Sequence, residues 1–494
     1  MYWIGYDVGS SSVKAALVKS GTGEVVGTTR SPEEEMAITS KRPGWGEQDP
    51  EMWWDHLVRA TSRLLRENNV GAGSVKGIGV SYQMHGLVLV DRQQQVLRDA
   101  IIWCDSRAVV TGRELLRTAG ERRCIDRLLN TPGNFTLSRL KWVQENEPGI
   151  YAKVYRFLLP GDFIAMKLTG RCTTTPSGLS EGIAWDFKEN KPALWLLEQA
   201  GIDPAFVPEV VPTFAEQGRL TSGAASELGL MTGIPLLYRA GDQPNNALSL
   251  NVMEPGEIAA TGGTSGVVYA VSDTPHTTEG IRTNNFAHVN HTPEHPRIGK
   301  LLNINGAGIL YRWMRDQVSG EAMSYEAMNQ LAGEVPAGSG GLLVLPFGNG
   351  AERMLGNVDA GASVLNLNFN IHERKHLYRA ALEGIAFSFV YGMEILRNDG
   401  VNLTAIRAGG DNLFRSGLFS RTIATLVGTE IRITDTTGAV GAARAAGYGS
   451  GDFKDLREAF AKDRSVAVYH PEKEGQTFID AYGIWKEVLK RNTG

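Results

Sequence analysis

The sequence predicts an α/β protein made of two similar domains that face a cleft. Short β-rich segments alternate with helical segments along its 494 residues, which is typical of α/β folds. A strand–turn–strand segment also occurs twice, at residues 7–17 and 261–271, with a constant offset of 254. The aligned pairs include Gly9 with Gly263, Ser10 with Thr264, Ser11 with Ser265 and Val13 with Val267. Because the two copies stand near the starts of halves of similar length, we place the domains at 1–247 and 248–494.

The first half opens with a predicted meander, because three β-rich segments are separated by turns that contain Gly and Ser. A helix is expected from about Asp49, since Pro50 suits a first helical turn and apolar residues then recur at helical spacing. The strands predicted in this half are Trp3–Val8, Val13–Val18, Glu24–Thr29, Gly77–Ser81, Leu87–Asp91 and Ile234–Tyr238.

The second half repeats the alternation after its own hairpin. Strands are expected at Gly341–Pro346, Ala405–Ala408 and Glu430–Ile433. Helices are expected at about His372–Arg397, Gly438–Gly447 and Lys473–Arg491, the second of them composed almost wholly of small residues.

Composition excludes several classes of protein. The chain has 50 Lys+Arg against 54 Asp+Glu, a net charge of −4, which argues against a dedicated nucleic-acid binder. No apolar run approaches the roughly 20 residues that cross a bilayer. The N-terminus lacks the basic and apolar regions of a signal peptide, and three cysteines form no CxxC pair. We therefore expect a cytoplasmic protein with no membrane or nucleic-acid partner.

The 58 glycines are clustered, and two clusters form the turns of the repeated hairpins. No GxxxxGK[ST] segment occurs, which excludes a P-loop. Backbone N–H groups in a Gly/Ser/Thr turn can instead bind an anion such as phosphate. Asp7 stands just before the first turn, and its carboxylate suits Mg²⁺. The alternative is two ordinary hairpins in which Asp7 caps a turn.

Asp242 stands in the segment Arg239–Asn246, immediately after an apolar strand. A carboxylate at a strand end, flanked by Gly and amides, suits a general base that faces a cleft. Asp and Asn also favour turns for purely local reasons.

Two polar segments could bind a sugar or polyol. Gln83 and His85 lie in a loop between two strands and can hydrogen-bond hydroxyl groups, although a buried structural histidine is the commoner case. Trp103 and Asp105 follow the next strand, where Asp105 and Arg107 could equally form a salt bridge. His288, His291 and His295 lack the cysteines or carboxylates of a zinc site, and no GxSxG elbow supports a serine hydrolase.

Taken together, these segments resemble the FGGY carbohydrate kinases, and most closely their xylulose-phosphorylating branch. The resemblance runs through nearly the whole chain. The matching segments are Asp7–Lys14, Trp45–Trp54, Gln83–Gly86, Trp103–Arg107, Leu159–Asp162, Gly241–Gln243, Gly263–Gly266, Leu382–Gly384 and Gly409–Gly410.

The resemblance implies an actin-like, ribonuclease H-like fold in two domains around a deep interdomain cleft. It implies transfer of the ATP γ-phosphoryl group to the terminal hydroxyl of D-xylulose with Mg²⁺, and a homodimer. Asp242 matches the catalytic base, and Asp7 and Asp242 match the carboxylates near the metal. The residues that match ATP contacts are Gly9, Ser10, Ser11, Ser12, Gly263, Thr264, Ser265, Gly409, Gly410 and Asn412. Those assigned to the sugar are Gln83, Met84, His85, Trp103, Asp105 and Gln243.

Two departures from the family pattern concern the sugar. The usual Gly-Glu-Arg-Thr-Pro segment reads Gly350-Ala-Glu-Arg-Met354 here, and Gln243 replaces a common Asn. A kinase for ribulose, fuculose, gluconate or glycerol is therefore an alternative. An actin-like ATPase that acts on no sugar is a second alternative from another class.

Overall fold

The computed structural model describes residues 1–319, 323–410, 412–463, 465–473 and 475–493. Its first half is built on a six-stranded mixed sheet in the order β5–β6–β4–β1–β2–β3. β1 runs antiparallel to β2 and parallel to β4, and β4 in turn runs parallel to β6. These strands are β1 Tyr2–Val8, β2 Val13–Lys19, β3 Val25–Ser31, β4 Val75–Tyr82, β5 Phe214–Arg219 and β6 Pro235–Gly241.

The second half repeats the same plan in a seven-stranded sheet, in the order β9–β10–β8–β7–β11–β12–β13. An antiparallel hairpin is again followed by two parallel neighbours and an antiparallel edge, and β9 is the additional strand. The strands are β7 Glu257–Gly262, β8 Gly266–Ser272, β9 Asn284–Ala287, β10 Ile298–Ile304, β11 Ala405–Gly409, β12 Ile431–Thr434 and β13 Ser465–Tyr469. The prediction of two α/β domains of one architecture is confirmed.

The two hairpins differ by one residue in the turn. In the first, Val8 pairs with Val13 and four residues form the turn. In the second, Gly262 pairs with Gly266 and three residues form it. The two segments align in sequence with a constant offset of 254, but the residues that pair across the second turn are not the counterparts of those that pair across the first.

Helices cover and connect the two sheets. The predicted elements form with their ends shifted by a few residues, because the ends of helices and strands are less sharply specified than their interiors. The helices are Pro50–Glu67, Val109–Ala119, Glu121–Leu128, Thr136–Asn146, Pro148–Tyr151, Pro160–Thr169, Pro176–Glu181, Leu194–Gln199, Ser222–Leu228, Asp242–Ser249, Gly308–Trp313, Tyr325–Gly333, Arg374–Asn398, Gly417–Val427, Gly438–Gly449, Leu456–Phe460 and Gln476–Thr493.

Short strand pairs complete the structure outside the two large sheets. One is the ribbon formed by Leu343–Phe347 and Gly361–Leu365. The others involve Glu47–Gln48 with Ala100–Ile101, Val88–Val90 with Arg156–Leu158, Thr173–Thr174 with Glu209–Val210, and Trp185–Asp186 with Lys191–Pro192. In the described part of the chain, no helix is sufficiently long and apolar to cross a bilayer.

The small-residue helix Gly438–Gly449 lies on the sheet of the first half, although the second half supplies it. A Cβ atom on Gly5 would lie 1.9 Å from the carbonyl oxygen of Ala439, and one on Gly79 would lie 2.0 Å from that of Ala442. Glycine in β1 and β4 is therefore required for the helix backbone to approach this closely. The same helix begins beside Asp7, at the cleft.

The apolar core has three main parts. One packs around the first sheet and another around the second. A third contains residues of both halves, including Met84 and Leu179 from the first and Tyr269 and Phe286 from the second. This shared core lies directly under the candidate sugar loop.

Candidate active site

Asp242 lies where β6 ends and the helix Asp242–Ser249 begins, with Gly241 at the junction. Burial and the negative charge of nearby Asp7 raise the pKa of its carboxyl to about 7, against hydrogen bonds from Gln243 that lower it. A carboxylate whose pKa is close to neutral is well suited to act as a general base at physiological pH.

Asp7 is held at the end of β1 by its neighbours in the sheet. Its Oδ1 accepts a hydrogen bond from the Ser81 hydroxyl at 3.0 Å, and Lys14 Nζ lies 3.7 Å from Oδ2. A Cβ atom on Gly438 would lie 2.9 Å from the Asp7 carboxyl carbon, so the helix beginning at Gly438 leaves room for this carboxylate. Asp7 and Asp242 therefore come from different strands to one place in the cleft.

The first hairpin turn, Gly9–Ser12, is fastened to the rest of the first half. Gly9 N–H donates to Ser12 O at 3.1 Å, and Gln48 Nε2 donates to Ser10 O at 2.7 Å. The indole of Trp103 donates to Ser10 Oγ at 3.3 Å. Ser11 at the tip is exposed.

The second hairpin turn borders a cavity of about 270 Å³. Its carbonyl oxygens at Gly263 and Thr264 accept hydrogen bonds from Gly308 and Ile309 at 3.1 and 2.9 Å. Tyr311 and Tyr325 line the same cavity, and their rings stack with centroids 5.7 Å apart. The lining includes Gly263, Thr264, Tyr311, Tyr325, Asn329 and Asn412.

Asn412, like the predicted nucleotide residues Gly263 and Thr264, lines this cavity. It also caps a short helix, where its side chain accepts a hydrogen bond from Phe414 N–H at 3.1 Å. Gly409 ends β11, and Gly410 follows it. A Cβ atom on Gly410 would meet Ile433 and Val466 at ordinary contact distances. Ser265 is exposed at the tip of the hairpin.

The predicted sugar loop begins where β4 ends. Gln83 is buried, and its N–H donates to Val8 O at 2.8 Å, which joins the loop to the end of β1. Its side chain donates to Gln48 Oε1 at 3.3 Å, and Gln48 also holds the first hairpin. Met84 is buried, and a Cβ atom on Gly241 would lie 2.6 Å from its Cγ. The loop thus contacts both the hairpin and the residue before Asp242.

His85 has a fixed ring orientation. Nδ1 lies 2.9 Å from the carbonyl oxygen of Glu181. Burial, and secondarily the nearby Arg139 cation, lowers the pKa of His85 to about 3, so the ring is neutral at pH 7. Because a carbonyl oxygen only accepts, Nδ1 carries the proton and Nε2 is left as an acceptor.

Trp103 and Asp105 have different surroundings. Trp103 is half exposed beside the first hairpin. Asp105 is fully buried, and its carboxylate accepts hydrogen bonds from Gly46 N–H and from the backbone and guanidinium of Arg107. The structure therefore forms the Asp105–Arg107 salt bridge that the sequence left open as an alternative.

Comparison with known proteins decides the family. A model described as the FGGY family of carbohydrate kinases, N-terminal domain, matches residues 2–249, and the C-terminal domain model of that family matches 258–450. The chain belongs to the FGGY family of carbohydrate kinases. It is thus a phosphotransferase with an alcohol group as acceptor, and the sequence-based assignment to this family is confirmed.

Relatives of this FGGY kinase extend over its full length. It is 28% identical to the xylulose kinase of Bacillus subtilis over 500 residues, covering 99% of this chain and 96% of the relative. The crystal structure of xylulose kinase from Rhodospirillum rubrum has a TM-score of 0.89 at 26% identity, covering 99% of both chains. Gluconate kinase from Lactobacillus acidophilus has a TM-score of 0.90 at 20% identity, covering 100% of this chain and 98% of that one. Since this last likeness concerns the fold alone, the fold does not decide the sugar.

Three further residues near the candidate site were not assigned to it from the sequence. Glu181 is fully buried, and a Cβ atom on Gly241 would lie 2.3 Å from its Oε2. Burial, and then the charge of Asp242, raises the pKa of Glu181 well above its ordinary value. Phe286 of the second half contacts the His85 ring, with centroids 5.4 Å apart.

The third is Glu352, in the segment that departs from the family pattern. Its buried carboxylate accepts hydrogen bonds from the N–H groups of Asn305 at 2.9 Å and Gly306 at 3.1 Å. Asn305 and Gly306 lie just before Gly308 and Ile309, whose N–H groups donate to the second hairpin. The altered segment thus keeps an acidic residue that supports the hairpin.

The carboxylates of Asp7 and Asp242 fit Mg²⁺, which prefers one or two carboxylates together with substrate phosphates. Among the residues that the structure describes, no group of three or more His, Cys, Asp or Glu could hold a metal by itself. Two of the histidines considered above for a zinc site have other partners. The side chain of His288 hydrogen-bonds the Tyr269 hydroxyl at 2.9 Å, and His291 Nδ1 accepts from Arg297 N–H at 3.1 Å.

Proposed function

We propose that the chain is an ATP-dependent xylulose kinase, which transfers the γ-phosphoryl group to the terminal hydroxyl of D-xylulose and yields D-xylulose 5-phosphate and ADP. The observation that carries the proposal is the position of Asp242. Its carboxyl, with a pKa of about 7, lies near Asp7. Asp242 also follows Gly241, which contacts Met84 of the sugar loop. The relatives named xylulose kinase support the choice of sugar.

ATP would occupy the cavity beside the second hairpin. The stacked Tyr311 and Tyr325 rings and the Asn412 side chain suit a nucleoside. The backbone N–H groups of the exposed turn Gly263–Ser265 suit its phosphates. The turn Gly9–Ser12 would contact the phosphates from the other half. Asp7 and Asp242 would hold Mg²⁺, which when bound neutralises charge on the phosphates.

The sugar would bind against the loop Gln83–Gly86. His85 Nε2, an acceptor in the tautomer that Glu181 imposes, would accept a hydrogen bond from a sugar hydroxyl. Gln243 and the indole face of Trp103 would contact the same ligand. Asp105 would act through the Arg107 pair that shapes the pocket wall.

In the transfer step, Asp242 would accept the proton of the attacking hydroxyl. Phosphoryl transfer requires little covalent assistance, so alignment of the hydroxyl with the γ-phosphate provides much of the rate. Closure of the two halves would exclude water and so limit ATP hydrolysis.

We place the enzyme in the cytoplasm, which is consistent with free thiols at Cys104, Cys124 and Cys172. The division at residues 1–247 and 248–494 and the homodimer also remain predictions. The division falls within the helix Asp242–Ser249, which makes that helix a hinge candidate.

A coupled assay of ADP release across sugars tests the proposed function. D-xylulose, ribulose, fuculose, gluconate and glycerol would be compared at equal concentration, with Asp242→Asn as the inactive control. We expect the highest kcat/KM with D-xylulose. A higher value with another sugar would replace the substrate, and ATP turnover that no sugar stimulates would favour the actin-like ATPase.

A further inference from the structure

Arg139 joins the two loops of the candidate sugar site. It lies in the helix Thr136–Asn146, and its side chain is fully buried. Nη1 donates to the carbonyl oxygen of His85, and Nη2 donates to those of Trp103 at 3.1 Å and Asp105 at 3.3 Å. One guanidinium therefore bridges the backbones of two loops that are distant in sequence.

The acceptors of this guanidinium are backbone carbonyls rather than a carboxylate. Burial lowers the pKa of Arg139 to about 10, which leaves it charged at pH 7. The carboxylate of nearby Asp105 is already paired with Arg107, so several hydrogen bonds must compensate for the burial of the Arg139 cation. The planar fork provides them, because its two Nη atoms can reach both loops at once.

His85 adopts a backbone conformation that needs this support. Its φ is +63°, in the left-handed region that residues other than glycine rarely adopt. The carbonyl oxygen of His85 also accepts a hydrogen bond from the Thr136 hydroxyl at 3.0 Å. Two donors from one helix thus hold the peptide that directs the His85 ring towards Glu181.

We propose that Arg139 is a positioning residue for sugar recognition, which fixes the spacing between the loop of His85 and the loop of Trp103 and Asp105. Both loops must meet one small ligand, so a change in their spacing weakens sugar binding. Arg139 itself does not touch the sugar. This inference rests on the proposed sugar kinase function.

The decisive variant is Arg139→Lys, which keeps the charge and removes the fork. A single ammonium cannot occupy both Nη positions, so one loop loses its donor. We expect the KM for D-xylulose to rise about tenfold or more, as for the loss of a hydrogen bond from a charged group. We expect the KM for ATP and the ATP hydrolysis without sugar to stay within about twofold, since the ATP cavity lies in the other half.

Arg444→Lys is the matched control. Arg444 is also buried and donates to a loop carbonyl, Gly23 O at 3.0 Å, but its partners Gly23 and Asp463 belong to neither loop of the candidate sugar site. The Arg444→Lys variant should leave the KM for D-xylulose unchanged.

Thr136→Val is a second test of how the His85 loop is held, because it removes the other donor to His85 O and leaves Arg139 in place. We expect a rise of about threefold in the same KM, since a neutral hydrogen bond contributes less.

The outcomes are distinguishable. A normal KM for D-xylulose in both Arg139→Lys and Thr136→Val would overturn the role of Arg139. A proportional loss of sugar-dependent and sugar-independent turnover would also overturn it, because that pattern indicates only a structural role. If Arg139→Lys does not fold, the result for Thr136→Val decides. Wild-type protein that no sugar stimulates would overturn the proposed function, and this inference with it.

Discussion

The Nδ1 atom of His85 lies 2.9 Å from the carbonyl oxygen of Glu181, and this contact sets which ring nitrogen can meet a ligand. With a pKa of about 3, the ring does not become protonated between pH 5 and pH 9. The Nε2 atom thus remains an acceptor over the whole working range of an enzyme.

His85→Ala removes this acceptor. We expect the KM for D-xylulose to rise about tenfold or more, while ATP hydrolysis without sugar is preserved. Steady-state kinetics with and without sugar measure both quantities. An equal loss of the two activities would contradict the placement of His85 in the sugar site.

Asp242→Asn removes the proposed base with little change in shape. General base catalysis contributes about 10²–10⁴-fold, so kcat should fall by at least that order. Sugar affinity, measured by calorimetry, should change much less. Near-normal turnover would exclude Asp242 as the base.

The pKa of Asp242 predicts an acid limb in the pH profile. Because the base must be deprotonated, kcat/KM should fall as the pH drops below about 7. A pH profile of the wild-type enzyme measures this limb.

Two variants test the charges around Asp242. Asp7→Asn removes the negative charge that raises the pKa of Asp242, so that pKa should move down. Lys14→Met removes a cation that lowers it, so the pKa should move up by a smaller amount because Lys14 is half exposed. Carboxyl NMR titration of the metal-free variants checks both signs, and shifts in the same direction would refute the coupling.

Glu352→Ala tests the altered segment. The N–H groups of Asn305 and Gly306 lose a charged acceptor, and the second hairpin loses the loop that holds it. We expect the KM for ATP to rise about tenfold, with the KM for sugar unchanged. Glu352→Gln keeps an acceptor oxygen and should show a smaller change. A rise in the sugar KM alone would argue for a direct role in the sugar pocket.

Gly79→Ala tests the close packing of the small-residue helix. The added Cβ atom would lie 2.0 Å from the carbonyl oxygen of Ala442, so helix and sheet must separate. We expect the free energy of unfolding to fall by about 3 kcal/mol, at the upper end of typical overpacking. Gly73→Ala adds the same atom where no heavy atom lies within 4 Å, and it should be nearly neutral in denaturant unfolding.

Local signals in the sequence were sufficient to predict that both hairpins form, because a Gly/Ser turn between two apolar segments favours a hairpin. They did not predict that the two turns differ by one residue. They were also sufficient for the position of Asp242 at a strand end. The family follows from many ordered segments rather than from one motif. Periodicity and turn chemistry could therefore predict the two-domain α/β architecture, whereas the roles of the candidate site residues came from the family resemblance and stay predictions.

What the sequence could not predict depends on contacts between distant segments. Small residues at Gly438–Gly449 indicate close packing but not the sheet against which the helix lies. Glu181 and Arg139 stand in ordinary helices, and only the fold brings them to Gly241 and to the carbonyl of His85. The burial of Asp105 likewise depends on Arg107 and Gly46 together.

The helix Gly438–Gly449 also affects how the protein folds during synthesis. The sheet it covers is complete once β6 has left the ribosome, but the face around Gly5 and Gly79 stays uncovered until nearly the whole chain has been made. N-terminal domains usually fold first as they emerge. Here the last step of folding the first domain must await the second, so neither half is expected to be stable when expressed alone.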